Sequence, residues 1–179
     1  MAFVPRQTPT YDPAAVEPMR EELIATGCKE FLIPDDVDQA LDRKDNSTQL
    51  VVLNSVCGCS AGTARPGAML ALQNKIIPDE LYTVFAGMEK DAVDQYRQQY
   101  MANYMPSSPS IGLFKNGEPI AILHRSDIEG NTAEQIASTL VEAFERLCSR
   151  KGPSVSTEEF ERITQGKYGC SSNLPKFRE

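Results

Sequence analysis

A chain of 179 residues is long enough to bury a core of its own, and one compact domain is the default at that length. With 41% hydrophobic and 24% charged residues it has the composition of a folded globular protein, and its net charge of −7 argues against a partner held by its phosphate backbone. No apolar run approaches the roughly 20 residues that span a bilayer, and Met1-Ala2-Phe3-Val4-Pro5 has neither the basic nor the apolar region of a secretory signal. The expectation is a soluble, cytoplasmic protein with neither nucleic acid nor membrane as partner.

Val16, Met19, Leu23 and Ile24 share one face of a predicted helix ending at Gly27, and Pro18 suggests that its ordered part begins near Glu17. Pro34-Asp35-Asp36 opens a second helix that carries Val37, Ala40 and Leu41. Leu50-Val51-Val52-Leu53 reads as a strand buried on both faces. Behind Cys57-Gly58-Cys59, the small face of Ala61, Ala64, Ala68 and Leu72 predicts a helix packed closely on the sheet, with Pro66 kinking it. Tyr82 to Ala86 is a second strand, and Asp91 and Asp94 begin a third major helix bearing Tyr96 and Tyr100. Runs 110–114 and 119–123 flank Asn116-Gly117, a hairpin signal because both central residues of a type I′ turn need φ > 0. Asn131 with Glu134 marks the start of a last amphipathic helix, closed by Gly152-Pro153.

Strand, helix, strand, helix, hairpin, helix is the element order of an α/β thioredoxin-like fold: a mixed central sheet with helices on both faces and, here, an N-terminal helical extension. From Ser149 onward the balance turns basic, so the chain divides into a domain over 1–148 and a C-terminal appendage over 149–179. That appendage is expected to hold a short helix opened by Ser156 and Glu159 and a loose end around Gly169 to Asn173.

Five cysteines, an odd number, argue against a disulfide framework, and a single histidine, His124, leaves most Ser-His-Asp and multi-histidine zinc designs without partners. Sulfur is therefore the expected reagent. Cys57-Gly58-Cys59 lies where a buried strand ends and a helix begins, so unpaired backbone N–H groups and the helix dipole favour a thiolate. Gly58 is expected to supply the tight turn that brings two sulfurs together across one residue. A disulfide closed over so small a ring is strained and labile, which suits exchange chemistry. Cys57, nearer the strand, is assigned the attack and Cys59 the resolving step. The competing reading is that both cysteines only fill space beside the strand.

The stretch Val51-Val52-Leu53-Asn54-Ser55-Val56-Cys57-Gly58-Cys59-Ser60-Ala61-Gly62-Thr63-Ala64-Arg65-Pro66-Gly67 resembles the signature of the bacilliredoxins, thioredoxin-like proteins with a Cys-Gly-Cys active site. Val84-Phe85-Ala86-Gly87, Pro106 to Ser110, Leu113-Phe114-Lys115 and Gly117 extend the similarity, which covers roughly residues 11–148. It implies removal of bacillithiol, a low-molecular-weight thiol, from mixed disulfides on oxidised proteins, with Cys57 taking up the small thiol and Cys59 or an external thiol releasing it. The implied partners are bacillithiol-modified proteins and bacillithiol or a similar small thiol, with no metal and no organic cofactor. It also implies a cis Ser108–Pro109 bond beside the active-site sulfur, with backbone pairing to substrate.

Arg65, about two helical turns beyond Cys57, is a candidate for the carboxylates of bacillithiol, with a solvated or structurally paired arginine as the alternative. Asn54 is expected to brace or cap the active loop, or to serve only its turn. Exchange of protein disulfides, as an isomerase or reductase, is the neighbouring reading. A thiolate metal site joining Cys57 and Cys59 to Cys28, Cys148 or Cys170 is the reading from another class, which the wide spacing opposes. Cys28 and Cys148 are expected to be quiet, whereas Cys170 is either a third thiol within reach or an incidental one.

Overall fold

The computed structural model describes residues 4–165. Helix α1 (Pro13–Ala25) starts where Asp12 accepts the Ala14 N–H at 2.9 Å and Pro13 takes the first helical position. It therefore begins earlier than the sequence suggests. Val16 and Leu23, both fully buried, anchor the helix on either side of Pro18 and hold it through the missing hydrogen bond. Gly27, at φ 104°, ends it: Gly27 N–H bonds to Ile24 O and Cys28 N–H to Leu23 O, the paired bonds of a Schellman cap.

Then follow β1 (Lys29–Glu30), α2 (Pro34–Leu41), β2 (Thr48–Asn54), a wide π-helical turn (Ser60–Ala64) running into α3 (Arg65–Ala71), β3 (Ile76–Ile77) and β4 (Glu80–Phe85). Helix α4 (Lys90–Gln95) ends in a second wide turn (Tyr96–Tyr100), followed by β5 (Ser110–Lys115), β6 (Glu118–Leu123), α5 (Arg125–Ile128), α6 (Ala133–Leu147), β7 (Arg150–Lys151) and α7 (Thr157–Ile163). Five strands form one sheet in the order β1-β4-β2-β5-β6. β2 pairs parallel with β4 and antiparallel with β5, which is the thioredoxin-like arrangement.

All seven residues of β2 are buried, so it is the central strand and its side chains divide between two cores. Leu50 and Val52 face Ala68, Leu72, Ile136 and Phe144 on one side, and Val51 and Leu53 face Phe31, Val84 and Tyr96 on the other. Helix α3, behind the cysteines, comes close to α6 at Gly67, where a Cβ would lie 2.8 Å from Ile136. Between β5 and β6, Asn116 (φ 54°) and Gly117 (φ 84°) make the expected hairpin turn.

Helix α6 is capped one residue later than its sequence suggests. Thr132 Oγ accepts the Gln135 N–H and Gln135 Oε1 accepts the Thr132 N–H, a complete capping box that displaces Asn131 and Glu134. The helix stops at Leu147, well before Gly152-Pro153, because Arg150 and Lys151 pair with β3 instead. Gly152 is needed there for close approach: a Cβ would sit 2.1 Å from the Asn74 carbonyl oxygen. Ser156 accepts the Glu159 N–H to open α7, whose Phe160 is buried in the same core as Phe144. Ser154 fastens this segment to Leu72 and Thr26. The expected loose end and Cys170 lie outside the described residues. Among the described residues, no helix is long and apolar enough to cross a membrane.

If residues 150–165 share the cooperativity of the main core, Phe160→Ala lowers the unfolding free energy by about 3–5 kcal/mol, the usual cost of emptying a buried phenylalanine site. Urea denaturation measures it. A loss below about 1 kcal/mol would detach α7 from the folding unit.

Candidate active site

The site grows from the end of β2. Asn54 is 1% exposed, and its Oδ1 accepts the Ser55 N–H (2.8 Å), the Ser60 hydroxyl (2.9 Å) and Arg65 Nη1 (3.1 Å). Its Nδ2 donates to the Met19 carbonyl of α1. Asn54 thus braces the loop, as one of its readings anticipates. Arg65 is 3% exposed; Nη1 also reaches Ser55 O (3.1 Å) and Ser60 Oγ (3.2 Å), while Nε pairs with Glu22 at 2.6 Å. Of its two readings the structure shows the paired one: Nε and Nη1 are engaged beneath the loop, and burial to 3% exposure turns the guanidinium inward.

On this brace the chain turns at Cys57, whose carbonyl accepts the Ser60 and Ala61 N–H groups, each at 3.1 Å. Residues from Gly58 onward are helical. Pro66 has no N–H to continue an ordinary ladder, and its expected kink takes the form of the wide turn ahead of it, with Arg65 N–H bonded to Ser60 O. Gly58 departs from the reading given to it. It does not adopt a positive φ, and nothing lies within 4 Å of the place a Cβ would take, so the turn itself does not demand glycine. What glycine leaves is a bare outer face between the two sulfurs.

Both thiols are partly exposed and reduced. Burial works against ionising Cys57, but the Ser55 hydroxyl at 3.2 Å, the Ser60 N–H and Cys59 outweigh it and pull its pKa below the ordinary value. Cys59 is pushed the other way by desolvation, by its hydrogen bond to Glu129 Oε1 (3.4 Å) and by charge on Cys57. Glu129 is itself held ionised by Arg125, whose Nε donates to the same oxygen at 2.8 Å. One sulfur is prepared as a thiolate and its neighbour is kept as a thiol, the division of labour that thiol–disulfide exchange needs.

The Ser108–Pro109 bond is cis, as expected. The pairing of Leu53 with Ser110 puts Pro109 at the same end of the sheet as Asn54 and the cysteine loop. Cys28 is buried, its thiol pushed up to about 12, and burial holds Cys148 at about 11, so neither is activated. Among the described residues, no three His, Cys, Asp or Glu side chains gather as a metal site. His124 caps α5 and lies beside Tyr104, with ring centroids 5.8 Å apart and planes tilted by 37°. Sequence reasoning missed four contributors. Ser55 and Ser60 lie within three residues of Cys57 and were legible as hydroxyls flanking a thiol, whereas nothing in the sequence joins Arg125 and Glu129 to Cys59.

A family profile described as "Disulphide isomerase" matches residues 11–148. A bacilliredoxin of Salinibacter ruber is 45% identical over 144 residues, 80% of this chain and 84% of the relative. Bacilliredoxin BH1716 of Halalkalibacterium halodurans is 47% identical over 133 residues, 74% of this chain and 91% of the relative. Among solved structures, the oxidised thioredoxin of Plasmodium falciparum aligns with a TM-score of 0.44 at 14% identity, over 69% of this chain and 100% of that one.

The local donors make a signed prediction. Iodoacetamide alkylates Cys57 with a pH midpoint below that of an ordinary thiol, and Cys59 only at higher pH. Ser55→Ala removes a hydrogen bond to the thiolate, so the Cys57 midpoint moves up. Mass-resolved alkylation across a pH series reads both, and a midpoint unmoved by Ser55→Ala would remove Ser55 from the account.

Proposed function

The chain belongs to the bacilliredoxin family of thiol–disulfide oxidoreductases, and from that membership we propose that it removes bacillithiol, or a similar small thiol, from mixed disulfides on oxidised proteins. The observation that carries this reading is the opposite tuning of two sulfurs one residue apart: Cys57 toward thiolate, Cys59 toward thiol.

In the first step the Cys57 thiolate attacks the small-thiol sulfur of the protein mixed disulfide. A bond forms from Cys57 Sγ to that sulfur, and the target protein leaves as its thiolate, which takes a proton from solvent. Once Cys57 is in a mixed disulfide its charge no longer holds Cys59 protonated. Cys59 then loses its proton to solvent, attacks Cys57 Sγ and expels the small thiol. The enzyme ends as a Cys57–Cys59 disulfide, two electrons oxidised, and an external thiol reductant returns it to the dithiol. Neither step asks for a metal or an organic cofactor. The bare face over Gly58 gives the incoming disulfide its approach, and the Ser108–Pro109 segment offers backbone for the target chain to pair with.

A second reading, exchange of disulfides within proteins, has the description of the matching family profile in its favour. One experiment separates the two. A bacillithiol-modified protein is mixed with the reduced enzyme and followed by intact mass. Cys57→Ser is expected to abolish removal, and Cys59→Ala to stop the reaction at a bacillithiol adduct on Cys57. Full activity in Cys57→Ser would overturn the assignment. Absence of an adduct, with a readily cycling Cys57–Cys59 disulfide, would favour protein disulfide exchange.

A further inference from the structure

With Arg65 enclosed, the site needs another cation if it is to recognise an anionic small thiol. The exposed guanidinium beside the sulfurs belongs to Arg125, the first residue of α5, with 47% of its side chain open to solvent. It is two hydrogen bonds from the resolving sulfur, because Glu129 Oε1 joins Arg125 Nε at 2.8 Å to Cys59 Sγ at 3.4 Å. Its backbone N–H donates to Ser107 Oγ, one residue before the cis Ser108–Pro109 bond. The arginine therefore bridges the two segments that frame the cysteine pair.

Only Nε is engaged: among the described residues, neither terminal nitrogen of Arg125 has a hydrogen bond. That leaves the bidentate end of the guanidinium, the part whose geometry matches a carboxylate. The charges of Cys57 and Cys59 are both felt at Arg125, which places the guanidinium within electrostatic reach of a ligand joined to Cys57. Glu129 is the acidic group facing it and balances its charge without occupying that end.

We propose that Arg125 is a specificity-determining residue that receives the carboxylate of the small thiol, so that the site favours anionic disulfides over neutral or cationic ones. The biological meaning of this anchor rests on the function proposed above, and its physical test does not. A carboxylate bound at the Nη1 and Nη2 end shares the guanidinium with Glu129, which keeps Nε. The anchor therefore holds a ligand already bonded to Cys57 without displacing Glu129 from Cys59.

The test uses three probes: dithiobis(nitrobenzoate), a dianion; bis(2-hydroxyethyl) disulfide, neutral; and cystamine, a dication. In a Cys59→Ala background only attack by Cys57 is read, by stopped flow or timed mass. Arg125→Gln is expected to slow attack on the dianion about three- to tenfold relative to the neutral probe, the scale of one exposed charge-assisted contact. The cystamine rate, relative to neutral, should rise, and both shifts should shrink at high salt. Arg125→Lys should keep part of the preference. The paired variant Arg125→Gln with Glu129→Gln separates loss of the anchor from an unmasked carboxylate: the preference for the dianion must stay lost.

A common factor on all three probes would overturn the proposal, because Arg125 would then act only through the Cys57 thiolate or the fold. So would no change at all, or a preference restored in the paired variant. Failure of wild type to take up bacillithiol, with the charge preference intact, would sink the proposed substrate and leave the anchor standing.

Discussion

A guanidinium buried to 3% exposure is a costly object, and the geometry around the sulfurs depends on how Arg65 is satisfied. Its partners come from three parts of the chain: Glu22 on α1, Asn54 and the Ser55 carbonyl at the end of β2, and Ser60 at the start of the wide turn. Asn54 Oδ1 accepts three donors at once, so rotating that one amide would leave several polar groups unpaired in the interior. The loop between strand and helix is thereby held in one conformation. Helix α1 is also drawn into the site, since Glu22 and Met19 both hold members of this network. The N-terminal extension is a support of the reactive loop.

Holding the loop does not by itself distinguish two cysteines one residue apart. Cys57 takes its character from groups within three residues: the Ser55 hydroxyl, the Ser60 N–H and Cys59 together outweigh its burial. Cys59 takes its character from desolvation, from Glu129 at the end of α5, seventy residues away, and from the charge of Cys57. The proposed order of the two sulfurs in exchange thus has a local half and a tertiary half. The halves are linked, because each sulfur contributes to the shift of the other.

That split explains what could be read from the chain and what could not. Periodicity and turn chemistry revealed β2, the hairpin at Asn116-Gly117 and the helix behind Cys59, because each follows from neighbours in sequence. The cis bond at Ser108–Pro109 was legible only through the family resemblance. Pro18 misled because burial of Val16 and Leu23 outweighs one lost hydrogen bond, and the cap of α6 slipped by one residue because Thr132-x-x-Gln135 offers the complete box. The two-residue strands β3 and β7 have too few residues for any periodicity and form only because distant segments meet. Within the site, Asn54 and the cysteines were visible. Arg65 was visible as an arginine but not as a buried one, and charge alone says nothing of the direction in which it is turned.

The inward turn of Arg65 has a consequence for recognition. The chain carries a net charge of −7, so an anionic small thiol is repelled at long range, although at physiological ionic strength that repulsion is screened beyond about 8 Å. Attraction sufficient to orient such a ligand must then be generated at contact, by a cation standing at the sulfurs. Arg65 supplies rigidity from below and Arg125 supplies exposed charge at the rim, roles that one residue could not combine. The first must be desolvated to hold the loop; the second must stay hydrated, with its terminal nitrogens open to a ligand while Nε holds Glu129.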